Sequence, residues 1–181
     1  MKSLETIQKT YRVFQTLTKI FMILSFVWAG LAGLGLLCGV VWYSGGRVVG
    51  GSQEMMQLLM HTDSLKQMFG VLLADVVSAL TDGILLAYAY RYLKKELADG
   101  TPFTQSGADQ IQRLGIRTIV LPLVAVILSA VFYEVFDVAQ TLRTESGDLP
   151  SLTMGIVLIL VSLIFRYGAE LEGRKKMGET T

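Results

Sequence analysis

The chain has 181 residues, a length suited to one domain, and 52% of them are hydrophobic, with a mean hydropathy of +0.51. Only 17% are charged, against about 25% in water-soluble domains, which excludes an ordinary soluble fold and points to a lipid-facing surface. A net charge of +1 lacks the basic footprint of a nucleic-acid binder, and one cysteine (Cys38) with one histidine (His61) leaves no disulfide framework or multi-histidine metal site.

Residues 1–19 read as a cytoplasmic amphipathic segment. Leu4, Ile7, Tyr11 and Phe14 recur at a spacing of three or four, and Lys2, Lys9, Arg12 and Lys19 keep to other faces. Such a helix lies well at headgroup level, and a plain extension of the first membrane helix is an equal alternative. The first span, 20–43, carries no charge and is long enough to cross a ~30 Å hydrocarbon core. The run is too long for a signal-peptide core and no A-x-A site follows, so a retained anchor is expected. Trp42 and Tyr43 stand at its outer end, as interfacial aromatics do.

Gly45, Gly46, Gly50 and Gly51 mark a turn and lack the lysine and helix of a phosphate loop. A short extracytoplasmic helix is expected over 53–69. Its Met55, Met56, Met60 and His61 include soft-metal donors, but methionines on an amphipathic helix are more often packing groups, so no metal site is assigned.

The second span, 70–93, contains Asp75 and Asp82, and ends in Tyr88, Tyr90 and Tyr92 with Arg91, Lys94 and Lys95. Gly100 and Pro102 break the helix in the following loop. Ser106 and Asp109 fit a capping box. Ile111, Leu114 and Ile116 then give an apolar side to a helix expected to skim the inner membrane surface. The third span, 116–136, has Pro122 near its start, a residue membrane helices tolerate. A polar outer loop covers 137–150. Asp148 and Pro150 suit the start of the fourth span, about 150–169, from which Arg166 is expected to snorkel. The tail, 170–181, carries Arg174, Lys175 and Lys176.

Of the 16 lysines and arginines, only Arg47, Lys66 and Arg143 fall on the side opposite both termini. The positive-inside rule therefore puts both termini in the cytoplasm. The expected fold is an all-α membrane protein, a four-helix transmembrane bundle with short interfacial helices.

Two stretches stand out as motifs. One is Asp99-Gly100-Thr101-Pro102-Phe103-Thr104, followed by Ile111, Leu114 and Gly115. The other is Phe165-Arg166-Tyr167-Gly168-Ala169-Glu170-Leu171-Glu172. With four spans in this length, they resemble the bacterial membrane family catalogued as domain of unknown function 2975. Members usually end in an acidic stretch and D-E-T-L, of which Gly178-Glu179-Thr180-Thr181 keeps only part, after basic residues. The family has no established activity. The resemblance implies the bacterial inner membrane and, through neighbouring genes, a cytoplasmic helix-turn-helix regulator as partner, with Gly100, Pro102, Phe103, Thr104, Tyr167 and Gly168 as motif residues.

Asp82 is the most informative single residue. A charged aspartate at mid-span costs roughly 2.5–3.5 kcal/mol on insertion scales. Asp75, Ser78 and Asp82 lie three and four apart on one helix face, and no lysine or arginine lies deep in any span. Glu134 and Asp137 fall at about the depth of Asp75, so a small polar cavity lined by these acids is one expectation. An interhelical hydrogen bond worth ~0.6–2 kcal/mol is the other and the favoured one. In the first span, Ala29 with Gly33 and Gly35 with Gly39 permit close helix approach, either in a homodimer or, as favoured, inside the bundle. Ser78 and Ser129 have no base partner for nucleophilic chemistry.

The sequence thus suggests a non-enzymatic regulatory or accessory membrane protein, needing no cofactor, that acts through the loop 94–117. A small ion-coupled transporter or permease using Asp75 and Asp82 is the alternative.

Overall fold

The computed structural model describes residues 2–44, 64–99, 105–143 and 149–178. Its long elements are all α-helices: α1 (Lys2–Ser44), α2 (Leu65–Asp99), α3 (Gln105–Val135) and α4 (Leu149–Gly178), with one 3-10 turn at Gln140–Leu142. No strand occurs among the described residues. Each helix holds a stretch long and apolar enough to cross a membrane: Arg12–Val40, Leu65–Lys95, Ser106–Val135 and Thr153–Glu170. Even the 18 residues of the last extend about 27 Å at ~1.5 Å per residue, close to a ~30 Å core.

Burial shows what these helices face. Only 11% of the most apolar part of α1 and of α4 is buried, against 28% in α2 and 22% in α3. Trp28, Leu37, Leu160 and Ile164 are all more than half exposed. Wetting such a surface would be unfavourable by ~25 cal/mol per Å², whereas acyl chains cover it without that penalty. Ala29, Ala32, Ala74, Ala79, Ala108 and Ala125 are all buried. Small interior residues are what close backbone packing of membrane helices requires. The chain is a multi-pass membrane protein.

Several local expectations change. Of the two readings of 1–19, the continuous α1 matches the extension of the first membrane helix, since it runs unbroken through Lys19. Thr16 and Thr18 donate to the carbonyls of Arg12 and Phe14, which satisfies their hydroxyls inside the helix. Residues 65–69 belong to α2 rather than to an extra helix, and 53–63 lie outside the described residues. No interfacial helix precedes the third span, since α3 is continuous from Gln105 through Gly115 and Pro122. The capping box gives way as well: Ser106 lies inside α3, where its hydroxyl accepts from Lys95 Nζ, and Asp109 pairs with Arg166. The apolar stretch of α4, Thr153–Glu170, agrees with the expected fourth span, and the helix itself runs on to Gly178.

Contacts divide the chain into two compact units. The first comprises Met1–Ile23, Gly83–Pro122 and Asp148–Thr181, the second Leu24–Asp82 and Leu123–Gly147.

In the first unit, α3 and α4 cross backbone to backbone at Gly115 and Gly155. A β-carbon on either glycine would stand 2.9 Å from the other's carbonyl oxygen. Ala108, Ile111 and Leu114 are buried on the same stretch of α3. Arg166 donates to Asp109 Oδ1 at 2.6 Å and to Gln112 Oε1 at 3.2 Å, and the Arg117 guanidinium lies 3.9 Å over the Tyr88 ring.

In the second unit, α3 ends in a Schellman motif. The Val138 amide donates to Tyr133 O at 2.9 Å and the Asp137 amide to Glu134 O at 3.3 Å. Asp137 takes the left-handed position with φ 49°, a place usually filled by glycine. Val138 and Tyr133 complete the motif's apolar contact and pack on Ala74. The turn then presses onto α2 at Gly70, where a β-carbon would meet Val138 Cγ2 at 2.5 Å and Phe136 Cβ at 2.7 Å.

Candidate intramembrane polar site

Within the second unit α1 and α2 run antiparallel. Gly39 faces Phe69, with 3.0 Å from its β-carbon position to Cζ, and Gly35 faces Leu72 at 3.4 Å. These two glycines meet α2 within the chain itself, while a side chain at Gly30 or Gly33 would meet nothing within 4 Å.

Further along this helix pair the side chains no longer close the gap. Leu24, Ser25, Val27 and Trp28 of α1 and Asp75, Ser78, Ala79 and Asp82 of α2 line a cavity of about 440 Å³. Its origin is steric. Trp28 is 61% and Leu24 56% exposed, so both wall the space without filling it, and Ala79 and Ser78 opposite are small. The α2 residues recur at intervals of three and four, which sets them in one stripe along the helix. Ser25, Asp75 and Ser78 are half-buried and Asp82 is exposed. Thr81 is not part of the wall and donates to its own helix at Val77 O, 2.8 Å away.

The cavity lies near the middle of both apolar stretches, Arg12–Val40 and Leu65–Lys95. Two carboxylates line it and no basic side chain does. That arrangement can hold a proton or a cation, because either lowers the cost of keeping carboxylates in a low-dielectric medium.

Glu134 does not join this cavity. It reaches Arg143 Nη1 at 3.0 Å, and Asp137 pairs with Lys66, so the two acids expected beside Asp75 have basic partners instead. Gln67 Nε2 donates to Asp137 O at 3.0 Å, and Arg143 Nε to Val138 O at 3.1 Å. These groups fasten the turn after α3. Ser129 is 2% exposed, and its hydroxyl has no hydrogen-bond partner among the described residues.

Ser25 and Trp28 were not singled out from the sequence. The available signal was position: Ser25 is the one serine in 20–43, and Trp28 stands at mid-span, whereas tryptophans favour the interface.

The motif residues divide differently. Gly100, Pro102, Phe103 and Thr104 lie outside the described residues, as do Met55, Met56, Met60 and His61. Tyr167 is 64% exposed, and Gly168 is half-buried. Arg166 joins the two motif regions through Asp109 and Gln112. No group of three potential metal-binding His, Cys, Asp or Glu side chains occurs among the described residues. Compared with models of protein families, with curated proteins and with solved structures, the chain gives no significant match.

Proposed function

We propose that this protein is a small, non-enzymatic, ion-coupled carrier of the bacterial cytoplasmic membrane that works through the stripe Asp75, Ser78 and Asp82. The supporting observation is the mid-span cavity, which combines those residues with Ser25 and Trp28 and has no basic residue in its wall. Intramembrane carboxylates are expensive, and a coupling proton or cation is the usual occupant that offsets the expense. Both termini are placed in the cytoplasm, supported by the 13 to 3 division of lysines and arginines. Reporter fusions at the C-terminus check the orientation: a fluorescent protein should mature, and an active alkaline phosphatase there would reverse it. The function is tested in proteoliposomes with an internal pH dye. A cation gradient should drive proton movement, and Asp82→Asn should abolish it. Equal proton movement by wild type and Asp82→Asn would exclude the carrier reading.

A second reading is favoured by the Arg166 contacts. By fastening α4 to the first turns of α3, they hold the exposed Ser106 and Arg113 in a defined array on α3. Such an array suits a regulatory or accessory role on a cytoplasmic partner, for which a helix-turn-helix regulator is our proposal. A protein that co-purifies with the wild type and is lost with Arg113→Glu would support it. An unchanged set of co-purifying proteins would count against it.

A further inference from the structure

We infer that the cavity between α1 and α2 takes a lipophilic organic cation, an ammonium or phosphonium with an apolar body, rather than an inorganic ion; this rests on the carrier reading above. The walls divide by chemistry. Asp75, Ser78 and Asp82 make one side polar, and Leu24 and Trp28 make the facing side apolar and aromatic. A bare metal ion needs six or so oxygen ligands in compact array. Here the two carboxylates lie seven residues apart on one helix, about 10 Å along its axis at ~1.5 Å per residue, too far to share one small ion. An extended organic cation meets the same walls well. Its charge lies beside a carboxylate, its body against Leu24, and a cationic or ring portion against the face of Trp28. A volume of about 440 Å³ falls within the ~300–1,000 Å³ usual for small-molecule sites. The exposure of Trp28 and Leu24 leaves that wall open toward the acyl chains, the phase in which such a cation concentrates.

The test uses full-length protein in lipid nanodiscs with radiolabelled tetraphenylphosphonium as probe and its near-isosteric anion tetraphenylborate as control. Saturable binding of the cation alone is expected. It should weaken at least tenfold in Asp75→Asn/Asp82→Asn and several-fold in Trp28→Ala, and stay unchanged in Glu134→Gln, whose side chain lies outside the cavity. Circular dichroism and gel filtration show whether each variant is folded; the single substitutions Asp75→Asn and Asp82→Asn serve if the double variant is not. Absence of saturable binding, equal binding of cation and anion, or full binding by the folded aspartate variants would overturn the inference. The flux assay separates the two ideas. Saturable binding without coupled proton movement upholds the site and removes the carrier. Coupled movement of an inorganic cation, lost in Asp82→Asn and unaccompanied by tetraphenylphosphonium binding, keeps the carrier and overturns this substrate class.

Discussion

The two units contrast in one helix pair each. In the first, α3 and α4 touch through glycine backbones at Gly115 and Gly155, and Arg166 is matched by Asp109 and Gln112. In the second, α1 and α2 meet at Gly35 and Gly39, then part around a cavity whose lining holds two carboxylates and no basic side chain. The difference teaches where function is to be sought. Backbone contact and paired charge leave little freedom, whereas a gap lined by carboxylates is unfavourable in lipid unless something occupies it. A bilayer protein keeps such a gap against the general advantage of packing.

Substitutions can break or sharpen this contrast. The largest effect is expected at the α3–α4 crossing. Gly155→Leu would drive a side chain against Ile119 and the Gly115 carbonyl, and neither helix backbone can yield without opening the crossing. A loss at or above ~3 kcal/mol, the upper part of the overpacking range, should appear as a much lower unfolding midpoint in detergent. A wild-type midpoint would show that the crossing is not tight.

Next comes the turn after α3. Gly70→Val would collide with Val138 and Phe136 and should cost about 1–3 kcal/mol in the same assay. Asp137 offers a finer probe of that turn. Asp137→Val places a β-branched residue at φ 49° and should cost about 2 kcal/mol, while Asp137→Gly relieves the backbone as it loses the Lys66 pair and should stay within ~1 kcal/mol of wild type. Equal losses in both variants would mean that the ion pair, not the left-handed backbone, holds the turn.

A smaller effect is expected at Arg166. Its pair with Asp109 is about half exposed, so Arg166→Met should cost only ~1 kcal/mol. Arg166→Lys should recover part of that, since both bonds leave from the single nitrogen Nη2 and an ammonium also has donors for two acceptors. Smallest of all is Gly33→Ala, which enters open space and should leave stability unchanged or slightly raised. The same variant bears on self-association. If two copies paired through this face, Gly33→Ile would abolish a crosslink through Cys38, which is exposed on α1.

Much of this protein was legible in its composition and spacing. Apolar runs of about twenty residues define membrane helices because backbone polar groups in lipid must be satisfied within the helix. The stripe Asp75, Ser78 and Asp82 follows from helical periodicity alone, since spacings of three and four admit one face. Helix ends were less legible: Gly70 and Gly115 resemble punctuation in the sequence, yet both lie inside unbroken helices. Their missing side chains admit a neighbour, Val138 in one case and Gly155 in the other, and only the packed chain reveals that neighbour. Partner choice was not legible at all. Glu134 and Asp75 look alike in sequence, but Arg143 lies within reach of the first and no basic residue lines the cavity beside the second. Contact between residues distant in sequence depends on how helices cross, so the sequence by itself determined the spans and the acidic face. The tertiary structure decided that this face borders a cavity with Ser25 and Trp28 across it.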